Sequence, residues 1–264
     1  MRQGYGEPAE EFPGASHSLP AARNHLKAAR MRDPPYRDHF SRPHRYPGRL
    51  IVFEGIDGAG KSTQLQLARR WLESLEYRVF CTEWNSAALV RSVTRSGKKK
   101  RALTPTTFSL LHGTDFAYRL SNHIIPPLKA GMLVLANRYV FTALSRDVVR
   151  GCDGAWVRKM YRFAPRPDVA LYLRVPSDVA VQRIRNSRAQ LMDFEAGLDL
   201  ALHSDPVESF RIFQDRIGKE YEGMVEEFRL ATIDGTLAID EQQQTIRQLM
   251  SEKLQGYGNK GRIA

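Results

Sequence analysis

Short, mostly apolar runs recur along this chain, and longer stretches of helical periodicity separate them. Runs of this kind are typical of strands that are buried on both faces of a parallel sheet. Each spans only four to six residues, which suits a strand better than a helix. They predict strands at residues 50–53, 77–82, 132–136, 170–175 and 230–233.

The stretches between these runs follow the spacing of amphipathic helices. Leu65, Ala68 and Leu75 fall on one face of a predicted helix over residues 64–75. A helix over residues 106–125 is expected to end before Pro126, because the residue preceding a proline avoids helical backbone. Strands that alternate with helices predict an α/β fold of three layers, with a parallel sheet covered on both faces. Further helices are predicted at residues 177–186, 207–228 and 239–254.

The pattern begins near residue 49 and fades after residue 256. Residues 1–48 are rich in Pro, Arg, His and Gly and lack a sustained apolar period, which predicts a basic, mostly disordered extension. Residues 49–256 contain all the strands and helices above and are predicted to form the folded domain. Residues 257–264 are predicted to be a flexible tail.

Composition narrows the classes of protein to which the chain can belong. No apolar run approaches the roughly 20 residues of a membrane-spanning helix, and the N-terminus lacks the apolar core of a signal peptide. The 2 cysteines, Cys81 and Cys152, argue against a disulfide framework and for a reducing compartment. The 7 histidines show no spacing typical of zinc sites. We therefore expect a cytoplasmic protein that does not bind membranes.

The net charge of +11 has two interpretations. Basic surfaces are typical of nucleic-acid binding, but an enzyme that gathers anionic substrates into one cleft also needs many Arg and Lys side chains. The densest basic run, residues 98–101, contains no aromatic side chain. That composition predicts a solvated loop, over residues 95–101, and makes nucleic-acid binding the less favoured interpretation.

The most specific motif directly follows the first predicted strand. Residues 55–62 read G-I-D-G-A-G-K-S, the pattern of a phosphate-binding loop. Glycines let backbone N–H groups surround the phosphates, the positive end of the next helix attracts them, and the lysine reaches the outer phosphates. The serine hydroxyl is the expected Mg²⁺ ligand. The predicted ATP-binding residues are Gly55, Asp57, Gly58, Ala59, Gly60, Lys61, Ser62 and Thr63.

The wider run from Phe53 to Thr63 resembles the signature of the thymidylate kinase family. The resemblance implies a P-loop kinase fold with an Arg-rich lid, ATP as phosphoryl donor, Mg²⁺ as cofactor, a nucleoside monophosphate as acceptor and a homodimer. It also implies that Asp57 helps to hold the acceptor; the alternative is a solvated loop acid. Glu54 is a candidate for supporting Mg²⁺ through water or for orienting Lys61, and a structural hydrogen-bonding role is an equal alternative.

A second resemblance lies at the end of the third predicted strand. Asn137-Arg138-Tyr139 resembles the Asp-Arg-Tyr motif of the family. The resemblance implies that Arg138 bridges acceptor and donor phosphates with its planar guanidinium, which makes Arg138 and Lys61 candidate catalytic residues. Asn137 departs from the family's Asp, so it keeps hydrogen bonding but loses the charge that helps to hold Mg²⁺.

The predicted acceptor site departs further from the family. Arg146 and Asp147 stand where the family has Tyr and Gln, and they either contact the acceptor or form a structural ion pair. Near Glu83 the family's acceptor-binding Arg is missing, and Phe116 takes the place of another.

Two other arginines, Arg91 and Arg119, are candidate substitutes for the missing pair. Each lost charge-assisted hydrogen bond would cost about 1.5–3 kcal/mol if nothing replaced it. The predicted acceptor-binding residues are therefore Asp57, Glu83, Arg91, Arg119, Arg138, Arg146 and Asp147.

A basic cluster at residues 182–188 resembles the mobile lid of the family. Phosphoryl transfer needs positive charge around the transferred group, and lid arginines supply it on closure. Ala59 stands where some family members have a P-loop arginine, so the lid must supply that charge. The candidate catalytic residues of the lid are Arg183, Arg185 and Arg188, with a solvated basic helix end as the alternative.

These features together predict a kinase that transfers the γ-phosphoryl group of Mg-ATP to dTMP. The first alternative is a related kinase with another acceptor, a different nucleotide or a small metabolite, because the acceptor motifs are altered. The second alternative is a nucleotide-dependent switch or a nucleic-acid-binding NTPase, because the chain is basic.

Overall fold

A five-stranded parallel sheet forms the centre of the molecule, in the order β2-β3-β1-β4-β5. The computed structural model describes residues 40, 42–187 and 191–257. The parallel sheet and the helices around it confirm the predicted α/β P-loop fold. The strands are β1 Arg49–Glu54, β2 Val79–Glu83, β3 Leu133–Asn137, β4 Val169–Arg174 and β5 Ala231–Asp234.

Helices connect the strands, as a parallel sheet requires. The long helix before β5 and the C-terminal helix agree with the sequence prediction to within one residue. Among the described residues none of the helices has both the length and the apolar composition of a membrane-spanning segment. The helices are α1 Lys61–Ser74, α2 Ala88–Lys99, α3 Pro105–Arg119, α4 Ile125–Lys129, α5 Val140–Val149, α6 Gly154–Met160, α7 Ser177–Ser187, α8 Pro206–Phe228 and α9 Ile239–Leu254.

The core is built around β1, which lies between β3 and β4. Leu50, Ile51, Val52 and Phe53 are each no more than 1% exposed. Because successive side chains of a strand point to opposite faces, this burial shows that both faces of β1 are covered. The uninterrupted apolar run in the sequence is the consequence of that double burial.

The prediction that a helix ends before Pro126 was wrong. A π-helical turn, Leu120–Ile124, follows α3, and α4 then begins at Ile125. Pro126 therefore lies in the first turn of a new helix, where its missing N–H has no intrahelical partner to lose. The change of helical register, rather than a loop, accommodates the prolines.

The basic run at residues 95–101 was also predicted wrongly, since most of it belongs to α2. Val90 and Thr94 are the buried positions of this helix. Lys98 and Lys99 occupy its last turn, where positive side chains interact favourably with the helix dipole. The same dipole argument explains why a basic cluster can end a helix instead of forming a loop.

Packed residues extend beyond both predicted domain boundaries. Phe40 lies 5.6 Å from Phe141 and 5.3 Å from Phe228, measured between ring centroids. His44 Nε2 is 2.8 Å from a carboxylate oxygen of Asp168. At the other end Tyr257 is buried and its hydroxyl donates to the carbonyl of Gly131. Residues 1–39 and 258–264 lie outside the described part, so their flexibility stays a prediction.

The topology fixes where ligands can bind. From β1 the chain runs to β2 and β3 on one side of β1, and after β3 it crosses to β4 and β5 on the other side, so a switch point lies at β1. In open parallel sheets the crevice outside the carboxyl ends at such a point is the usual ligand site. The P-loop follows β1 and Arg138 follows β3, so both lie at this crevice.

Candidate active site

The loop between β1 and α1 has backbone that requires glycine. Gly55 and Gly58 have φ angles of +137° and +80°. A Cβ atom on Gly55 would lie 2.6 Å from the carbonyl oxygen of Leu173, and one on Gly58 would lie 2.7 Å from that of Ala180. A side chain at either position would force the backbone to move. The close packing therefore explains why the motif has glycine at both positions.

Lys61 is the first residue of α1 and folds back over the loop. Its Nζ donates a 2.6 Å hydrogen bond to the carbonyl oxygen of Ile56, and the side chain is nearly buried. Burial, with the positive charge of Arg138 as a second cause, lowers the pKa of Lys61 well below its usual range. A phosphate bound in the loop would oppose both effects, because it brings negative charge to the ammonium group.

Three oxygen-bearing side chains from α1, β3 and β2 meet beside Lys61. The Nδ2 of Asn137 donates to Ser62 Oγ at 3.0 Å and to a carboxylate oxygen of Glu83 at 3.3 Å. Asn137 Oδ1 is buried and has no hydrogen-bond partner in the described part of the chain. The unpaired oxygen and the Ser62 hydroxyl are oxygen ligands of the kind that Mg²⁺ prefers.

Asp57 joins two arginines into an arginine–aspartate cluster (Arg138, Asp57 and Arg146). Its two carboxylate oxygens accept from the guanidinium groups of Arg138 and Arg146. The Gln214 side-chain amide also donates to Asp57 at 3.2 Å and accepts from its backbone N–H at 3.0 Å. Burial alone would raise the pKa of Asp57, but Arg146 and Arg138 hold it well below its usual range. Asp57 is therefore not a solvated loop acid.

The backbone of Arg138 turns sharply to bring its side chain to the P-loop. Its φ angle is +72°, which is uncommon for a residue with a Cβ atom. Its N–H donates to the carbonyl oxygen of Phe53 at 3.0 Å. Its Nη1 donates to the carbonyl oxygen of Gly55 at 3.2 Å and to Thr142 Oγ1 at 3.3 Å. Strained backbone of this kind is typical of functional positions.

Glu54 has a structural environment rather than an open metal site. It is fully buried, and one carboxylate oxygen accepts from the backbone N–H of Tyr139 at 2.6 Å. The other accepts from the hydroxyls of Thr142 at 2.8 Å and Tyr221 at 2.7 Å. Burial raises its pKa. Because both oxygens are engaged, the geometry favours the structural alternative: Glu54 fixes the chain immediately after Arg138, and we do not propose it as a metal ligand.

A cavity of about 320 Å³ opens beside the arginine–aspartate cluster. Its lining combines charged residues with aromatic side chains from the residue after β2, from α3 and from the segment before α8. Aromatic faces of this kind stack on nucleobases. The aromatic residues of the lining are Trp84, Phe108, His112 and Phe194.

Two cationic residues of this cavity, Lys98 and Arg150, were not predicted from the sequence. Lys98 Nζ lies 4.9 Å from the ring centroid of Phe108, and burial, followed by the nearby Arg150, lowers its pKa to about 8. Arg150 donates to Asp199 at 3.0 Å and to the Phe194 carbonyl oxygen at 2.7 Å, and its Nη1 has no partner among the described residues.

The spacing of α2 held the signal for Lys98. Val90, Thr94 and Lys98 are four residues apart, so they lie on one helix face. Val90 and Thr94 are buried, so Lys98 also lies on the face of α2 that packs against the protein.

Three of the predicted acceptor-binding residues lie outside the cavity lining. Asp147 is buried with Ser109 and His112 and does not pair with Arg146. Arg119 is fully buried, with its guanidinium 5.6 Å from the Trp84 ring, so it packs behind the cavity wall.

The third, Arg91, is exposed and donates to the carbonyl oxygen of Ser86 at 3.1 Å. Direct contact of these three residues with the acceptor therefore finds no support in the geometry. The remaining predicted acceptor residues do line the cavity: Asp57, Glu83, Arg138 and Arg146.

The predicted lid arginines differ in their positions. Arg183 lies beside the P-loop, where it donates to the carbonyl oxygen of Gly235 at 2.7 Å and to that of Ala59 at 3.5 Å. Arg185 is exposed on α7. Arg188 lies outside the described residues, so its role stays a prediction.

Comparisons with known proteins agree with this geometry. The family model described as thymidylate kinase matches residues 53–246. The probable thymidylate kinase 2 of Saccharolobus solfataricus is 42% identical over 206 residues, which cover 78% of this chain and 96% of that protein. The thymidylate kinase of Desulfotalea psychrophila is 32% identical over 151 residues, covering 56% of this chain and 75% of that protein. The chain therefore belongs to the thymidylate kinase family of phosphotransferases.

Proposed function

We propose that this enzyme transfers the γ-phosphoryl group of Mg-ATP to dTMP and releases ADP and dTDP in the cytoplasm. One observation carries the proposal: the arginine–aspartate cluster joins the P-loop to a cavity that aromatic side chains help to line. A donor phosphate in the loop and an acceptor phosphate in the cavity would meet at Arg138. The names of the relatives support dTMP as the acceptor.

The residues of the chain supply positioning and charge rather than covalent chemistry. Lys61 and the loop N–H groups would hold the donor phosphates, as P-loops do. Arg138 would bridge the donor and acceptor phosphates with its planar guanidinium. Asp57 holds Arg138 and Arg146 in place before substrate arrives, so little reorganisation is needed at the moment of transfer. Of the two lid arginines that the structure describes, Arg183 is the one beside the loop, where it would add positive charge.

The residues present fit a bound Mg²⁺. Ser62 Oγ and a carboxylate oxygen of Glu83 both lie within hydrogen-bond distance of Asn137 Nδ2, and flipping that amide would bring its unpaired Oδ1 toward them. When bound there, the ion would neutralise negative charge on the donor phosphates. Such a site keeps several ligand positions for water and phosphate oxygens, so it does not need a cluster of carboxylates.

The test is ADP release with Mg-ATP and each of nine acceptors: dTMP, dUMP, dCMP, dGMP, dAMP, UMP, CMP, AMP and GMP. We expect a clear preference for dTMP. Lys61→Ala, purified in the same way, controls for contaminating kinases and should retain less than a tenth of the activity. Intact ATP binding without transfer to any of the nine would contradict the proposal.

A second candidate is a related kinase with another acceptor. Lys98 and Arg150 line the cavity, whereas the predicted Arg91 and Arg119 do not, so its positive charge comes from other elements than the motifs predicted. The same panel of acceptors separates the two candidates. Preference for a nucleotide other than dTMP, or activity with none of the nine, would favour the second candidate. The homodimer implied by the resemblance also stays a prediction, which the molar mass in solution would test.

A further inference from the structure

His112 is one of the four aromatic residues that line the cavity and form its aromatic wall. It belongs to α3, and its side chain is 3% exposed. Its ring centroid is 4.2 Å from that of Phe108 and 5.6 Å from that of Trp84. An acceptor whose phosphate lies near Asp57 would place its base among these rings. His112 is the one ring in this wall with nitrogen atoms that can both donate and accept hydrogen bonds.

The hydrogen bonds of His112 fix which nitrogen carries the proton. Its Nδ1 lies 2.9 Å from one carboxylate oxygen of Asp147, and Ser109 Oγ donates to the other oxygen at 2.7 Å. An ionised carboxylate has no proton to donate, so Nδ1 must be the donor of this bond. In a neutral imidazole the other nitrogen, Nε2, is then a hydrogen-bond acceptor.

This acceptor has no hydrogen-bond partner among the described residues. Nε2 makes no hydrogen bond within the described part of the chain, although His112 lines the cavity. Polar atoms in nearly buried sites are normally paired, so a donor from water or a ligand is required there. The aromatic neighbours Phe108 and Trp84 provide faces on which any base can stack, so stacking alone would not discriminate between bases.

We propose that His112 Nε2 accepts a hydrogen bond from a ring N–H of the acceptor's base and so selects the base. Asp147 is a positioning residue that fixes the tautomer, and Ser109 holds Asp147. The inference rests on the proposed function, because it assumes a nucleotide in the cavity. It names the substrate class as a base with an imide-type N–H at its inner edge, as thymine and uracil have at N3.

The first experiment compares dTMP with N3-methyl-dTMP, which lacks that N–H, at about pH 8, where an ordinary imidazole is neutral. Sites built to hydrogen-bond a substrate group reject analogues that lack it, so we expect the wild type to prefer dTMP by roughly 100-fold in kcat/KM. His112→Phe should lower kcat/KM for dTMP about tenfold and narrow the preference to below tenfold, with the KM for ATP unchanged. An unchanged preference in this variant would overturn the proposal.

Two further variants separate base selection from a change in packing. His112→Gln restores an acceptor oxygen and should recover part of the preference that His112→Phe loses. His123→Phe changes a histidine that contacts Phe80 and Tyr118, outside the cavity lining, and should leave the preference as in the wild type. Melting temperatures of all variants identify any that fail to fold. Equal losses in the Phe and Gln variants, with both folded, would count against a role for the acceptor atom.

Asp147→Asn tests the positioning role. An amide can donate to Nδ1, which allows the tautomer in which Nε2 carries the proton and becomes a donor. A donor suits the N3 acceptor of cytosine, so the ratio of kcat/KM for dCMP to that for dTMP should rise by roughly tenfold. Equal losses for both nucleotides would show that Asp147 is only structural and would overturn its assigned role.

Binding measurements distinguish failure of the proposed reaction from failure of the inference about His112. If the wild type transfers phosphate to no nucleotide, binding of dTMP and N3-methyl-dTMP is measured by calorimetry instead. A preference for dTMP that His112→Phe removes would support the inference although the proposed reaction had failed. Equal or absent binding of the two compounds to the wild type would overturn the inference as well.

Discussion

The donor side and the acceptor side of this site are built in different ways. The P-loop is one continuous segment, residues 55–62, and its backbone demands explain nearly every residue in it. The acceptor cavity takes its lining from β2, α2, α3, α5 and the segment before α8, together with the P-loop residue Asp57 and the Arg138 turn after β3.

This difference explains why the two sides are not equally constrained. A continuous loop that surrounds a triphosphate with its own N–H groups leaves few alternatives in sequence. A cavity assembled from distant segments can replace one side chain by another from a different element. Lys98 and Arg150 are candidates for such a replacement, because they line the cavity while the arginines of the family's acceptor motifs are missing.

Two buried carboxylates make the same contrast at the level of single residues. Asp57 faces the cavity and pairs with Arg138 and Arg146, so its pKa is lowered despite burial. Glu54, three residues earlier, accepts only from neutral donors, and burial raises its pKa. The pKa of the two carboxylates is therefore shifted in opposite directions, because two arginines pair with Asp57 and none pairs with Glu54.

The largest expected effect concerns Arg138, which joins the two sides. Arg138→Ala should lower kcat/KM by roughly 10- to 100-fold, because removing a charge-assisted contact costs about 1.5–3 kcal/mol. The effect should be on kcat more than on the KM of ATP, since Arg138 contacts both phosphates only when both substrates are bound. Steady-state kinetics with varied ATP and varied dTMP measure this.

Arg174→Ala is the matched control. Arg174 ends β4 at the same edge of the sheet, but it is about half exposed and pairs with Glu222 on the surface. Its loss should change kcat/KM less than twofold, because exposed ion pairs contribute little. Equal effects of the two substitutions would contradict the bridging role of Arg138.

The second prediction concerns Glu54→Gln and stability. The amide can accept some of the three hydrogen bonds but brings N–H donors that face other donors, so we expect a loss of roughly 1–3 kcal/mol in the free energy of unfolding. Chemical denaturation measures the loss, and Glu73→Gln on the exposed face of α1 is the control. The Mg²⁺ concentration for half-maximal activity should stay the same. A large rise in that concentration would instead support the metal role.

The smallest expected effect is the pH dependence contributed by Lys98, whose pKa is lowered to about 8. Below that pH the side chain is protonated and attracts the acceptor phosphate; above it the charge is lost. The KM for dTMP should therefore rise about two- to fivefold between about pH 7 and pH 9, as expected for one lost charge in a partly solvated site. Lys98→Met should have the high KM at both pH values, whereas the exposed neighbour Lys99→Met should follow the wild type. A pH-independent KM in the wild type would contradict the assignment.

The sequence predicted some elements of the fold and site more accurately than others. The strands with uninterrupted apolar runs, the P-loop and the helix α9 were predicted well, because local pattern determines each of them. The helix α2 was missed because its buried positions are few, and the helix break at the prolines was resolved by a π-helical turn. Asp147 was predicted at the acceptor because it stands where the family has Gln, yet it pairs with Ser109 and His112, since neighbours on α5 point in different directions.

The sequence by itself determined the parallel α/β architecture, the phosphate-binding loop and the family. Each of these depends on residues that lie close together in the chain, where spacing and backbone conformation carry the information. Only the tertiary structure decided that Glu54 supports the backbone, that Asp57 pairs with both Arg138 and Arg146, and that His112 pairs with Asp147 at the cavity. Those roles depend on contacts between residues more than 30 positions apart, which no local pattern records.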